Sequence, residues 1–297
     1  LRSLSSGRRG RLLLTAGATN ALRMWDLATG EPLPGFGGES GTVECASLSD
    51  DGRTVVTGGW AVALWNAKEG KPVRVFERLS DAVHAVALSP DSRWVLSGGE
   101  GRLRLWSSES GRCLWTADAH QGDVTAVCWS ADGRYALSVG EDEQLVLWDV
   151  ARGRGLQSLR VKAGTIRSLS FSADGRLALV AGAGRFGRPG QLGLWDLMRG
   201  QCVRSFDGHE GGIDAACLST DNRFVLSGGT DRTVRLWETA TARPLTVFEG
   251  HEEAVVGVGL GADVGHAISA DRGGTLRMWL LDWELEPREL TDRDDSA

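Results

Sequence analysis

The stretch VLSGGTDRTVRLWE, residues 225–238, decides the fold. In two-residue steps Val225 and Ser227 alternate into a Gly-Gly-Thr-Asp turn, and Val234 and Leu236 then alternate up to Trp237. That pattern predicts a β-hairpin. The same phrase returns with its tryptophan at Trp25, Trp65, Trp106, Trp148, Trp195, Trp237 and Trp279, at spacings of 40, 41, 42, 47, 42 and 42 residues. A fixed period of this length, with a tryptophan closing one strand, predicts a radial array of small sheets.

Working outward from the hairpin, each period begins with an apolar strand such as TVECASLS (42–49), AVHAVALS, DVTAVCWS or GIDAACLS. A turn rich in Asp and Gly follows, SDDGR, SPDSR, SADGR or STDNR, suited to a type I or left-handed geometry. With a last strand after the tryptophan, each period makes a four-stranded antiparallel meander. One meander cannot bury both of its faces, so seven are expected to stack around an axis as one closed unit over residues 1–290. The acidic end, 291–297, reads as a polar tail or linker. The segment 281–290, LDWELEPREL, is expected to supply the outer strand of the last blade. The chain opens inside a repeat and without methionine, so a longer parent protein is the expectation.

Composition sets bounds on function. The 297 residues carry a net charge of -6, which offers no basic footprint for a phosphate backbone. Twelve tryptophans against one tyrosine tie tryptophan to the repeat plan. The five cysteines, Cys45, Cys113, Cys128, Cys202 and Cys217, form no CxxC pair and read as small buried thiols of a reducing, cytoplasmic compartment. No apolar run is long enough for a membrane span. The paired glycines recur by blade as turn residues, so no phosphate loop, cofactor site or metal cluster is expected.

The residues themselves resemble the WD repeat. Its Gly-His before the first strand appears as Gly208-His209 and Gly250-His251, with Ala119-His120 as a remnant. Its Trp-Asp appears as Trp25-Asp26, Trp148-Asp149 and Trp195-Asp196. The resemblance implies an all-β fold, a seven-bladed β-propeller. It also implies a hydrogen-bonded chain of His, Ser, Asp and Trp within a blade, here His120, Ser138, Asp142, Trp148 and again His209, Ser227, Asp231, Trp237. A His, a Ser and an Asp resemble a hydrolase triad, but the recurrence of one spacing in two blades favours a structural network. In the seventh blade His251, Ser269 and Trp279 remain while Gly273 holds the turn site, so Asp271 is expected to matter much less than Asp231. Blades one, two, three and five lack the histidine, with Glu39, Leu79 and Lys162 at its place in the second, third and fifth; these blades are expected to be softer.

Function is expected on the face where the chain enters each first strand and turns from the second to the third, called the top here. The residues after the first apolar position of each first strand are Arg2, Glu44, His84, Thr125, Arg167, Asp214 and Val256. By resemblance to WD propellers, this ring at the channel mouth contacts partner peptides, and its mixed charge suits recognition. Trp60, on the shortened turn of blade two, and Arg185, Phe186 and Arg188, on the lengthened turn of blade five, are expected at the rim. Trp94, Tyr135, Leu177, Phe224 and His266 share one position and read as packing between blades. The expected function is a non-enzymatic protein or peptide scaffold, monomeric within a larger signalling or effector protein, as the resemblance implies. Two other classes remain open: acid–base work by His84 with Glu44 or Asp214, and nucleic-acid binding through Arg2, Arg167, Arg185, Arg188 and Arg272.

Overall fold

The computed structural model describes residues 1–6, 12–17, 22–27, 29–33, 36, 43–76, 82–184, 189–261 and 263–281. Within them, 26 strands form seven antiparallel sheets, each a meander in chain order. Blades two to six have four strands, and blades one and seven have three among the described residues. In blade one the last strand expected after the tryptophan is represented, among the described residues, by a single bridge, Trp25 to Pro32. The expected outer strand of blade seven lies, beyond Leu281, outside the described residues.

Blades two to six each turn from the first to the second strand on a self-contained set of polar groups. Ser89 Oγ donates to Asp91 Oδ1 at 2.6 Å, and the same oxygen accepts the Arg93 N–H at 3.1 Å. The serine oxygen in turn accepts the Trp94 N–H at the head of the second strand. The Ser-x-Asp-x-Arg pattern repeats at Ser49, Ser130, Ser172 and Ser219, so the five turns share one bond set. The left-handed residue is glycine at Gly52, Gly133 and Gly175 but Ser92 (φ 58°) and Asn222 (φ 61°) elsewhere.

The core lies between blades. The first strands, Ser3–Ser6, Val43–Leu48, Val83–Leu88, Val124–Trp129, Ile166–Phe171, Ile213–Leu218 and Val255–Leu260, stand side by side around the axis. Their spacing is set where the second strand lacks a side chain. A Cβ on Gly58 would lie 2.7 Å from Val83 Cγ1, one on Gly98 2.5 Å from Val124 Cγ1, and one on Gly228 2.4 Å from Val255 Cγ1. Each glycine therefore holds the valine of the next blade in van der Waals contact with its own backbone. Polar groups add to the seam: Ser168 Oγ accepts the Ala216 N–H and donates to the Ala216 carbonyl, both at 3.0 Å. The ring closes by packing, because the first strand of blade one contacts those of blades two and seven, and Leu4 fills the space over Gly257.

The expectation of buried cysteines holds for Cys45, and burial pushes the thiols of Cys45, Cys128 and Cys217 up to about 12. It fails for Cys113 and Cys202, which are exposed. Both sit on outer strands opposite Trp106 and Trp195, where no further strand covers them. Of the shared aromatic position, Phe224 is buried, whereas Trp94, Tyr135, Leu177 and His266 are half-buried. His266 faces Asp263, Nδ1 to Oδ1 at 3.5 Å.

The glycine seam predicts that Gly98→Val destabilises the protein by about 1–3 kcal/mol, since the added methyls must displace Val124. Gly133→Ala makes no such clash, because a Cβ on Gly133 meets only Pro90 Cδ at 3.7 Å, so that variant loses only what the positive φ costs. Urea unfolding of the two variants measures the difference; equal losses would show that the seam is not the tight contact.

Candidate functional site

The channel mouth is built by a repeated irregularity. The first strands of blades two to seven each break register after their first residue, between Val43 and Cys45, Val83 and Ala85, Val124 and Ala126, Ile166 and Ser168, Ile213 and Ala215, and Val255 and Gly257. The residue passed over is Glu44, His84, Thr125, Arg167, Asp214 or Val256. A bulge leaves its extra residue out of the ladder and re-aims the side chain. All six, with Arg2 from blade one, line a single cavity of about 520 Å³. Simple alternation locates these positions but misses the bulge; its trace in the sequence is two successive inward residues, as in Cys45-Ala46 and Ala215-Ala216, which are all buried.

Ion pairs join the ring across blades. Arg2 pairs with Glu44. His84 Nε2 lies 3.4 Å from Asp123 Oδ2, and Arg167 Nε lies 3.2 Å from Asp214 Oδ1. Arg272, from the top turn of blade seven, reaches the other oxygen of Asp214 at 3.6 Å. Asp214 thus sits beneath two guanidinium groups with its side chain only 6% exposed. Asp123 lies just before a first strand, off the ring position, so the ring rule passes over it. His84 is therefore paired with neither Glu44 nor Asp214, as the acid–base reading requires, because both carboxylates are taken by arginines. Arg2, Arg167 and Arg272 are each held by a carboxylate and form no open cationic strip. Among the described residues no group of His, Cys, Asp and Glu is placed to hold a metal ion.

Two further candidates lie at the rim. Trp60 follows Gly59, the partner of Val43, and so stands at the same end of blade two as Glu44; it is 57% exposed. Arg185, Phe186 and Arg188 lie outside the described residues.

The histidine networks are buried inside the blades. In blade four, Trp148 Nε1–H donates to Ser138 Oγ at 2.9 Å, and His120 Nε2 lies 2.7 Å from the same oxygen. His120 Nδ1 lies 3.0 Å from Asp142 Oδ1. A carboxylate only accepts, so Nδ1 carries the proton and Nε2 accepts from the serine. Blade six repeats the chain through Trp237, Ser227, His209 and Asp231, at 2.9, 2.8 and 2.9 Å. Ser138 and Ser227 are fully buried, which leaves no approach for a substrate.

Blade seven overturns the expectation that its network is broken. His251 Nδ1 lies 2.9 Å from Asp271 Oδ2, Nε2 lies 2.7 Å from Ser269 Oγ, and Trp279 donates to that oxygen at 2.8 Å. Asp271 is the last residue of its strand, where blade six has Gly229. A Cβ on Gly229 would lie within 2.8 Å of His209 Nδ1, so a side chain at that position reaches the histidine directly and no turn aspartate is required. Asp271 is 1% exposed. Of the blades without histidine, one, two and three keep the tryptophan bond: Trp25, Trp65 and Trp106 donate to Thr15, Thr57 and Ser97. In blade five Val180 stands at the hydroxyl position and has no oxygen to offer Trp195.

Burial lowers the His120 pKa, against the opposing pull of Asp142. Burial would by itself raise the carboxyls of Asp142, Asp231 and Asp271; hydrogen bonds from the facing histidine and from backbone N–H groups more than offset it, and all three fall below the usual carboxylate range.

The WD40 family (WD domain, G-beta repeat) matches residues 70–107, 111–149 and 200–238. Each match runs from the outer strand of one blade through the first three strands of the next, so one sequence repeat ties two blades together. The closed ring of seven meanders is a seven-bladed β-propeller, and the matched repeats make it a propeller that carries WD40 repeats. Members of this class act generally as protein-interaction scaffolds and are typically non-catalytic. No curated protein matches the chain. No helix among the described residues is long and apolar enough to cross a membrane.

Two outcomes are expected. Asp231→Ala and Asp271→Ala each strand a buried histidine and lower stability by similar amounts, about 1–3 kcal/mol by urea unfolding; a near-silent Asp271 variant would show that blade seven does not rely on the contact. The second concerns acid. Groups whose pKa is lowered by folding stabilise above their unfolded value and lose that contribution as pH falls, so His120 weakens the fold below about pH 6.5 and the three carboxylates below about pH 4. Asp142→Asn should flatten the dependence between pH 4 and 2; an unchanged slope would remove Asp142 from the account.

Proposed function

We propose that this propeller is a non-enzymatic platform that holds an extended segment of a protein partner at its channel mouth. The observation that carries the reading is the ring of unlike residues, six of them set at bulges and five of those polar, around a cavity of about 520 Å³. A cavity of this size accepts a few side chains of an extended segment rather than a folded domain. The Arg2–Glu44 pair suits exchange. Its side chains are 41% and 29% exposed, and ion pairs at such exposure contribute about 0–1 kcal/mol, so a partner's own charge displaces it at little cost. His84 and Thr125 add polar contacts across the mouth, and exposed Trp60 supplies an apolar anchor at the rim. Arg185, Phe186 and Arg188 belong to the same proposed face by sequence. The platform acts as one part, residues 1–290, of a larger cytoplasmic signalling or effector protein.

A photo-crosslinking residue at Thr125 or at Trp60 should capture the same protein, and one at Val73 on an outer strand should not. Arg2→Ala with Trp60→Ala should weaken that capture at least tenfold, about 1.4 kcal/mol, with the melting temperature unchanged. Equal capture from Val73, or capture indifferent to the double substitution, would move the interface off the channel mouth.

A further inference from the structure

Blades are latched to one another at the end opposite the channel mouth. Arg74, on the outer strand of blade two, donates to the Ser110 carbonyl in the third-to-fourth strand turn of blade three. Arg204, on the outer strand of blade five, donates to the Ala240 carbonyl of blade six in the same way. The matching residue in blade three is Trp115, whose Nε1–H donates to the Val150 carbonyl of blade four at 2.9 Å. Register confirms the equivalence: Arg74, Trp115 and Arg204 face Leu64, Leu105 and Leu194 across the ladder. Blades four and six carry Gln157 and Thr246 at this place. Trp115 alone among these puts an indole into the seam, where it stacks on Trp148 at 6.3 Å and packs against the backbone of Gly153.

The substitution opens an aromatic pocket between blades three and four. Trp115, Trp94 and Tyr135 form its walls and Leu114, 49% exposed, its lip, around a volume of about 510 Å³. Arg134 lies over the Tyr135 ring at 5.7 Å, and Arg152 is paired with Asp149 at the far rim. Across Trp94 and Gly133 the pocket continues into a second depression of about 350 Å³, bordered by Pro90, Asp91, Ala131 and Asp132. Both carboxylates are fixed by their turns, each taking a serine hydroxyl and a backbone N–H on Oδ1. The Ser130 hydroxyl lowers the Asp132 pKa, which keeps it anionic. The two depressions thus form one groove, apolar and aromatic at one end and flanked at the other by two carboxylates, with the Arg134 charge acting on Asp132.

We infer that this groove is a second binding site, independent of the channel mouth, for an extended segment of a partner protein that places a large apolar side chain against Trp94, Trp115 and Tyr135 and a lysine or arginine between Asp91 and Asp132. The stem of the basic residue lies on Trp94 and its head meets the carboxylates, which combines apolar contact with charge complementarity. In an extended strand, residues two apart face the same way about 7 Å apart, so the motif is apolar-x-basic. An acidic residue in the second position meets two like charges and is rejected.

The test uses the peptide Ac-Gly-Phe-Gly-Lys-Gly-NH2 titrated into the ¹⁵N-labelled protein, with the tryptophan indole signals followed by NMR. The Trp115 signal, identified by its loss in Trp115→Arg, should shift and saturate in the millimolar range. Trp115→Arg restores the arginine seen at Arg74 and Arg204, so the latch and the melting temperature should persist while affinity falls at least tenfold. Replacing lysine by glutamate in the peptide, or Asp91 and Asp132 together by asparagine in the protein, should each weaken binding at least threefold. No shift of the Trp115 signal at saturating peptide, or equal binding of the lysine and glutamate peptides, would overturn the assignment.

Discussion

The structure depends on the contact between one blade and the next. A four-stranded meander has two apolar faces and no means of covering either alone, so every blade is stable only as a neighbour. The closest approach is made where Gly58, Gly98 and Gly228 present bare backbone to Val83, Val124 and Val255. The same spacing aligns the first strands around the axis and thereby sets the width of the channel mouth. Leu4 over Gly257 makes a like contact at the closing seam, with the glycine on the first strand of blade seven instead of the second.

Within blades, the polar networks act on a different problem. A buried indole N–H without an acceptor is costly, and in six blades a serine or threonine of the second strand accepts it. In three of these a histidine and an aspartate extend the chain to the top turn and tie that turn to the core. These are the residues that look most like catalytic machinery, and burial of their serines is what removes that reading.

The two ends of the ring divide the exposed chemistry. At the top, bulges turn polar residues towards the axis, where they meet residues from other blades and pair. At the opposite end, side chains of the outer strands reach the turns of the next blade, and the identity of that side chain decides whether the seam is closed by a guanidinium or opened as an aromatic groove.

The sequence by itself determined the blade count, the order of strands, the complete networks of blades four and six and the positions of the mouth residues. The blade count, the strand order and the mouth positions follow from local periodicity, because a strand's alternation and a turn's composition are written in consecutive residues; the networks follow from the resemblance to the WD repeat. What the tertiary structure decided involves distances between segments remote in the chain. Asp271 completes the network of blade seven because a strand-end side chain and a turn side chain two residues away reach one histidine, a coincidence in space that a fixed spacing rule cannot express. Arg2 with Glu44, His84 with Asp123 and Arg167 with Asp214 are contacts between blades, and no period within one blade encodes them. The exposure of Cys113 and Cys202 has the same origin: a strand's composition does not say whether another strand lies outside it. Trp115 was one more tryptophan in the sequence, and only the position of the neighbouring turn made it the wall of a groove.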